Sequence, residues 1–343
     1  MVDAMASPLT LIDTLGRPMR DLRVSVTDRC NFRCGYCMPR EVYGPDHAFL
    51  PRAEVLEFDE IERVVRASVA LGVSKVRLTG GEPLVRRNLE ILVRQLAAIE
   101  GIEDLTLTTN ASLLASRAQR LADAGLHRVT VSLDALDDET FGRMNDVGFP
   151  VSRVLDGIAA AEAAGLGPIK INAVIRRGIN EHAVLDLAER FRGSTTAVRF
   201  IEYMDVGHSN GWRLDDVVPA AEVVAAIDAR WPLEPLDARY RGEVAQRYRY
   251  RDGGGEIGVI SSVTQPFCGD CTRARLSADG QLFTCLFATA GHDLRALLRS
   301  GASDVDLADA LRAIWTGRSD RYSELRTLDT VDLPKVEMSY IGG

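Results

Sequence analysis

The chain has 343 residues, 46% hydrophobic and 26% charged, an ordinary globular composition whose length fits about two domains or one large barrel with an appendage. Forty-nine acidic residues against 41 Lys and Arg leave a net charge of −8, so a polyanion gains nothing from the overall field and must be caught by a local cluster of bases; nucleic acid is not an expected partner. No run approaches the roughly 18 apolar residues of a membrane span, and residues 1–20 lack a basic stretch followed by an apolar one, so a cytoplasmic protein with no membrane association is expected.

From residue 22 to about 201 short strands alternate with helical patterns. Strands are expected at 22–27, 75–79, 105–108, 128–133, 169–174 and 198–201. Helical periodicity starts at Asp59, with Glu62 at the capping-box spacing, and recurs near 89–99, 113–124, 151–164 and 182–191. Strand–helix repeats of this kind imply parallel strands with right-handed crossovers. Parallel strands covered on both faces usually read as continuous apolar runs, whereas these alternate. Arg23, Ser25 and Thr27 oppose Leu22, Val24 and Val26; Lys75, Arg77 and Thr79 oppose Val76 and Leu78. Thr106 and Thr108, then Arg128, Thr130 and Ser132, then Lys170 and Asn172 continue the polar face. The apolar face can pack on helices; the polar face must look into a wet or liganded space. The fold class expected is α/β: an incomplete (β/α)6 TIM-like barrel with a polar lumen over residues 1–214, and a small C-terminal α+β capping region over 215–343. Arg23, Lys75, Arg77 and Lys170 would make the lumen cationic, with Arg128 at its lower rim, which suits a phosphorylated substrate. In the C-terminal region a helix is expected over 222–229, strands over 246–250 and 256–261, and a hairpin over 275–283 turning at Asp279-Gly280.

Six cysteines fall into two tight groups, Cys30, Cys34, Cys37 and Cys268, Cys271, Cys285. Each group is odd, so a disulfide framework would have to pair across the length of the chain. Two sets of three thiols read as metal ligands. The first follows the first barrel strand directly, where catalytic loops sit. Three thiolates at this spacing can hold three irons of a [4Fe–4S] cluster and leave the fourth open to another ligand. Zinc would need a fourth ligand, for which His47 or His292 is available to the first or second set. A [2Fe–2S] centre is a further alternative for the second set, and Cys34-x2-Cys37 alone could be a thiol redox pair.

Cys-x3-Cys-x-Tyr36-Cys resembles the signature of the radical S-adenosylmethionine (SAM) superfamily, and Gly80-Gly81-Glu82-Pro83, one strand on, resembles that superfamily's second element. Cys268-x2-Cys271-Thr-Arg273-Ala274-Arg275, with Cys285 beyond it and a terminal Gly342-Gly343, is similar to the GTP 3′,8-cyclase family of molybdenum cofactor biosynthesis. The resemblance runs from Leu22 to Gly343. It implies two [4Fe–4S] clusters, one on Cys30, Cys34 and Cys37 with SAM on its open iron, the other on Cys268, Cys271 and Cys285. It further implies that Tyr36, Gly81, Ser132 and Met204 contact SAM, and that Arg23, Arg77, Thr108, Lys170, Arg273, Ala274 and Arg275 contact GTP. Arg273, Arg275, Gly342 and Gly343 would serve the radical step. The reaction implied is hydrogen abstraction from C3′ of GTP by an adenosyl radical, then attack on C8 to give (8S)-3′,8-cyclo-7,8-dihydroguanosine 5′-triphosphate. The partners implied are a flavodoxin- or ferredoxin-like electron donor and cyclic pyranopterin monophosphate synthase as recipient of the product, with the enzyme a monomer or homodimer. Asn110-Ala111 departs from the Asn-Gly often found in that family.

Overall fold

The computed structural model describes residues 11–327 and 333–342. One twelve-stranded sheet runs through it. Its first six strands are β1 (Asp21–Ser25), β2 (Lys75–Thr79), β3 (Asp104–Thr109), β4 (Arg128–Ser132), β5 (Lys170–Ile175) and β6 (Ala197–Glu202). All six lie in sequence order with parallel neighbours. Leu22, Val24, Val76, Leu78, Leu105, Leu107, Val129 and Val131 are buried among the helices, as the period-2 pattern requires, because alternate side chains leave a strand on opposite faces.

The helices between these strands are α1 (Phe58–Ala70), α2 (Leu89–Ala97), α3 (Ala118–Asp123), α4 (Asp138–Asn145), α5 (Val151–Ala163) and α6 (Ala183–Phe191). Helix α1 shows why the segment folds this way. Ile61, Val64, Val65 and Ser68 recur at helical spacing and are buried. The capping expectation needs correcting. The Glu60 carboxylate, not Glu62, reaches back to a backbone N–H, that of Glu57 at 2.7 Å, and Glu62 instead pairs with Arg66. Helix α3 is shorter than the expected 113–124, because Ala111 takes a left-handed backbone at φ 61 and the following residues close turns before the helix begins. Helix α4 was not foreseen. Asp137 caps it by accepting from the Thr140 N–H at 2.7 Å, and Asp138 and Glu139 suit its positive N-terminal end.

The C-terminal region does more than cap the barrel. It contributes α7 (Ala220–Arg230), β7 (Leu233–Leu236), β8 (Gln246–Tyr250), β9 (Glu256–Ile260), β10 (Arg273–Leu276), β11 (Gln281–Phe283), β12 (His292–Asp293), α8 (Leu294–Arg299) and α9 (Asp304–Thr316). Strand β10 pairs parallel with β1, and β9 pairs parallel with β6. Eight parallel strands therefore surround the lumen, and antiparallel β7–β8 and β11–β12 finish the two edges. Asp279 and Gly280 make the β10–β11 turn, with Gly280 at φ 85. The barrel is open between those edges, which leaves its polar face free to line a cavity.

Candidate active site: two cysteine triads in one cavity

All six cysteines are free thiols, and all six line a single cavity within the barrel. The first triad sits on the loop after β1. That loop is held by backbone pairing that continues beyond the strand ends: Val26 N donates to Thr79 O at 3.0 Å, Gly81 N to Thr27 O at 2.9 Å, and Glu82 N to Arg29 O at 2.9 Å. The contact is so close that a Cβ at Gly81 would lie 2.3 Å from Arg29 O, and one at Gly80, which has φ +142, would lie 2.4 Å from Thr27 O. The two glycines are thus required by the seat of the cysteine loop itself.

Side chains complete that seat. Arg33 donates to the carbonyls of Cys30 at 2.9 Å, Phe32 at 2.7 Å and Tyr43 at 2.7 Å. Buried Glu82 accepts from Leu84 N, Thr109 Oγ1 and Asn110 N at 2.7–2.9 Å, which ties the loop after β2 to the loop after β3. Asn110 then donates to Asn31 at 2.9 Å. Burial pushes the Glu82 carboxyl up to about 7 despite its three donors. Tyr36 donates to buried Asp134 at 3.0 Å. Burial raises the Cys34 thiol well above its ordinary range, and that of Cys30 to about 12, with Asp134 and Glu82 adding to the respective shifts.

The second triad spans the helical turn Cys268–Asp270, Cys271 before β10, and Cys285 after β11. Burial alone would raise the Cys271 thiol, but Arg273 and Arg318 outweigh it and leave it at about 6. Arg273 Nε lies 3.3 Å from Cys271 Sγ. Arg17 and Arg318, which sequence reasoning missed, hold the peptide frame of this triad. Arg17 Nη1 donates to Cys268 O at 2.8 Å, and Arg318 donates to Cys271 O at 2.8 Å and Thr284 O at 3.1 Å. No local pattern marks either residue, since the Arg17 contact spans 251 residues and those of Arg318 span 47 and 34.

The polar strand face supplies the rest of the wall. Arg23, Lys75, Arg77, Thr108, Ser132, Arg273 and Arg275 line the cavity, as do Tyr36, Gly81 and Met204. Arg77 Nη1 donates to Thr108 at 3.0 Å and Thr130 at 3.1 Å. Arg23 Nε, Arg77 Nε and Asn172 Oδ1 are buried without a protein partner, so the wall has hydrogen-bonding capacity to spare for a polar ligand. Arg199 and Tyr240 also line it. Arg199 could have been read from β6, where it alternates with Val198 and Phe200. Tyr240 lies on the connection between β7 and β8 and accepts from Lys75 Nζ at 3.2 Å.

Three sequence candidates stand apart. Lys170 is outside the cavity wall but within reach of its bases: burial, and then Arg199, Arg128, Lys75 and Arg77, push its ammonium down to about 6. Arg128 turns to Asp104, with Nε 2.9 Å from the carboxylate, in keeping with a place on the lower rim. The Ala274 side chain faces the outer core beside Leu22, so only its backbone is available to a ligand. At the C-terminus, the helical turn Met338–Ile341 delivers Gly342 to the cavity's edge, where its carbonyl accepts from Arg275. A Cβ on Gly342, at φ +77, would lie 2.3 Å from Thr79 Cγ2. Gly343 lies outside the described residues.

The donor sets suit clusters better than single ions. Among the described residues no three His, Cys, Asp or Glu side chains close round one point as the ligands of a single ion do. In a cluster each thiolate takes its own iron, so the ligands stand further apart. Neither histidine considered for zinc is at hand. His47 packs between Tyr43 and Phe49, and exposed His292 lies on edge strand β12; neither lines the cavity.

Residues 24–191 match the Radical SAM superfamily, and residues 196–324 match the family described as Molybdenum Cofactor Synthesis C. The chain is 58% identical to a GTP 3′,8-cyclase of Acidothermus cellulolyticus, over 96% of this chain and 98% of that one. It belongs to the GTP 3′,8-cyclase family. Members from Xanthomonas campestris pv. campestris strain B100 and Staphylococcus aureus strain MRSA252 are 55% and 49% identical, each covering at least 96% of both chains. The fold extends beyond the cyclases. The crystal structure of Streptococcus suis SuiB bound to S-adenosylmethionine matches 92% of this chain and 72% of its own at a TM-score of 0.61, with 16% identity. Ala111, where the cyclase resemblance led to an expectation of glycine, is accommodated in the left-handed region and packed against Gly157.

Proposed function

We propose that this chain carries out the GTP 3′,8-cyclase reaction, the first step of molybdenum cofactor biosynthesis, inside the cavity that both cysteine triads share. The observation that carries the reading is that shared cavity, whose wall holds both triads together with Arg23, Arg77, Arg273 and Arg275. Cys30, Cys34 and Cys37 would hold one iron–sulfur cluster, and Cys268, Cys271 and Cys285 the other. When bound, the first cluster and SAM supply one-electron chemistry that can begin a radical reaction at a carbon–hydrogen bond.

The protein's own work is binding and orientation. Tyr36, Gly81, Ser132 and Met204 hold SAM, with Tyr36 fixed by Asp134. Arg23, Arg77 and Thr108 would hold GTP from the cavity wall, with Lys170, just beyond that wall, adding a charge once protonated. Their charge-assisted bonds favour the triphosphate strongly because they act in a partly dry space. Arg273, Arg275 and the backbone of Ala274 sit between the triphosphate end and the second triad, where they steady charge as the base reacts. Gly342 closes on Arg275, and the Gly342-Gly343 end of the chain would keep the reacting groups aligned and shielded from water. An external one-electron donor of flavodoxin or ferredoxin type and a pyranopterin-forming enzyme downstream complete the reading. No helix of the described residues is long and apolar enough to cross a membrane.

The test is anaerobic reconstitution with iron and sulfide, followed by incubation with SAM, dithionite and GTP. The cyclised nucleotide and 5′-deoxyadenosine are expected to form together, on protein holding about eight irons per chain. 5′-Deoxyadenosine formed by the wild-type protein with GTP left unchanged would count against GTP as the substrate.

A further inference from the structure

The second triad is surrounded by a charge arrangement that its cysteines alone do not require. Asp13, Arg17 and Arg318 are all buried. Asp13 closes a tight turn by accepting from Leu15 N and Arg17 N, both at 2.9 Å, and Gly16 takes φ 70 within that turn. Its other oxygen binds two guanidiniums, Arg17 Nε at 2.6 Å and Arg318 Nη1 at 3.2 Å. Arg17 spends its next donor on Cys268 O and Asp320 O, both at 2.8 Å, and its second Nη is buried with no protein partner. Arg318 Cζ lies over the Trp315 ring, 4.6 Å from its centre, and Trp315 in turn donates to Arg17 O at 3.0 Å. One carboxylate thus organises two arginines, and the two arginines fix the peptide units at Cys268, at Cys271 and just before Cys285. Both guanidiniums line the cavity.

The first triad has a different setting. Among the described residues Arg33 is the one side chain that serves a carbonyl of this triad, that of Cys30, and two buried carboxyls, Glu82 and Asp134, line the same cavity. The second triad has Arg17, Arg318, Arg273 and Arg275 against Asp13, Asp21 and Asp320, while Asp270 and Glu324 at the Cys268–Asp270 turn are exposed and paired with Arg241 and Arg321. Positive charge in a space of low dielectric favours the more reduced, more negative form of a nearby centre.

We propose that Arg17 and Arg318, joined by Asp13, are positioning residues of the second triad. They preform its ligand geometry and hold the cluster bound there at a higher reduction potential than the cluster on Cys30, Cys34 and Cys37. The second centre is then the more easily reduced, and the first is the one that must be driven. The proposal rests on the two-cluster reading given above and goes beyond it by assigning three residues outside both cysteine motifs.

The experiment is a redox titration with dithionite on reconstituted full-length protein without GTP, followed by electron paramagnetic resonance, together with iron analysis. Arg318→Met is expected to lower the potential of the second centre, and Asp13→Asn, which removes the negative charge and leaves both arginines, to raise it. The first centre should stay put in both. Arg318→Lys, which keeps charge but loses the fork, should bind less iron at the second site while the remaining centre titrates near the wild-type potential. Loss of the second centre alone in Arg318→Met supports the positioning role, and Asp13→Asn then decides the potential. Potentials that do not move, that move in the same direction in both variants, or iron lost equally from both triads would overturn the proposal. Wild-type protein with one centre and half the iron would instead overturn the two-cluster reading on which it rests.

Discussion

Gly81→Ala tests whether the glycines after β2 serve the cysteine loop. The added Cβ would stand 2.3 Å from Arg29 O, 2.5 Å from Arg29 C and 3.0 Å from Cys30 N, where ordinary contact begins at 3.4 Å. The obstacle is backbone, so no side chain can swing away. The loop must retreat by about 1 Å, which stretches the 2.9 Å bonds from Gly81 N to Thr27 O and from Glu82 N to Arg29 O beyond useful length. Two lost bonds at about 1 kcal/mol each, with about 1–3 kcal/mol of overpacking, shift the docked loop by about 3–5 kcal/mol, more than a hundredfold. A domain of this size can absorb that and stay folded, so the damage should be local. Iron analysis after anaerobic reconstitution should show the first site depleted and the second filled, with SAM binding lost in equilibrium dialysis. Gly35→Ala is the control. Gly35 lies in the same motif, its Cβ would meet nothing within 4 Å, and iron should be retained. Full iron and normal SAM binding in Gly81→Ala would refute the packing argument.

Other outcomes follow from the same geometry. Cys34→Ala should abolish SAM cleavage, whereas Cys271→Ala should leave some unproductive cleavage and stop formation of cyclised nucleotide; a Cys271→Ala protein that still cyclises GTP would reduce the second triad to a structural role. Lys170, held down to about 6, is largely neutral above pH 7 and should regain its proton when a triphosphate arrives. Calorimetry in buffers of different ionisation enthalpy should therefore register proton uptake approaching one per GTP, absent in Lys170→Met. Glu82, raised to about 7, binds its proton more tightly folded than unfolded, so its contribution to stability is complete below the ordinary glutamate range and fades as pH rises through 7. Urea unfolding of the metal-free protein from pH 4.5 to 7.5 should show that decline, by about 3 kcal/mol at most, and Glu82→Gln should flatten it.

Local chemistry was readable from the sequence wherever one segment carries it. Period-2 alternation in β1, β2 and β4 declared both the strand and its inward face, because the lumen demands polar side chains and the helices demand apolar ones. The cysteine spacings and the Asp279-Gly280 turn were equally local. What could not be read depends on distant segments meeting. Nothing in Arg273–Leu276 says that it will pair with β1, nor in Glu256–Ile260 that it will pair with β6, yet those pairings bring the second triad to the first. Arg17 and Arg318 are isolated arginines in sequence and become partners only through Asp13. Helix α4 did carry a signal, the acidic Asp137-Asp138-Glu139 start, but it lies in a short connection where a loop is as plausible.

The cavity's charge follows from this assembly. The parallel strands place Arg23, Lys75, Arg77 and Arg199 on one face, and β10 adds Arg273 and Arg275 beside them. Such a set repels itself, and its members show it: burial and neighbouring cations depress Arg23, Arg77, Arg199 and Arg275 as well as Lys170. Each surface ion pair elsewhere is worth little, so the fold as a whole is not built on charge. The repulsion is therefore a local cost that an anion would relieve. A ligand with several negative charges gains twice, from its own contacts and from the relaxation of bases already held in place. A neutral nucleoside would obtain only the first, so a nucleoside triphosphate is expected to bind this basic lumen far more tightly than its nucleoside, a difference calorimetry would register.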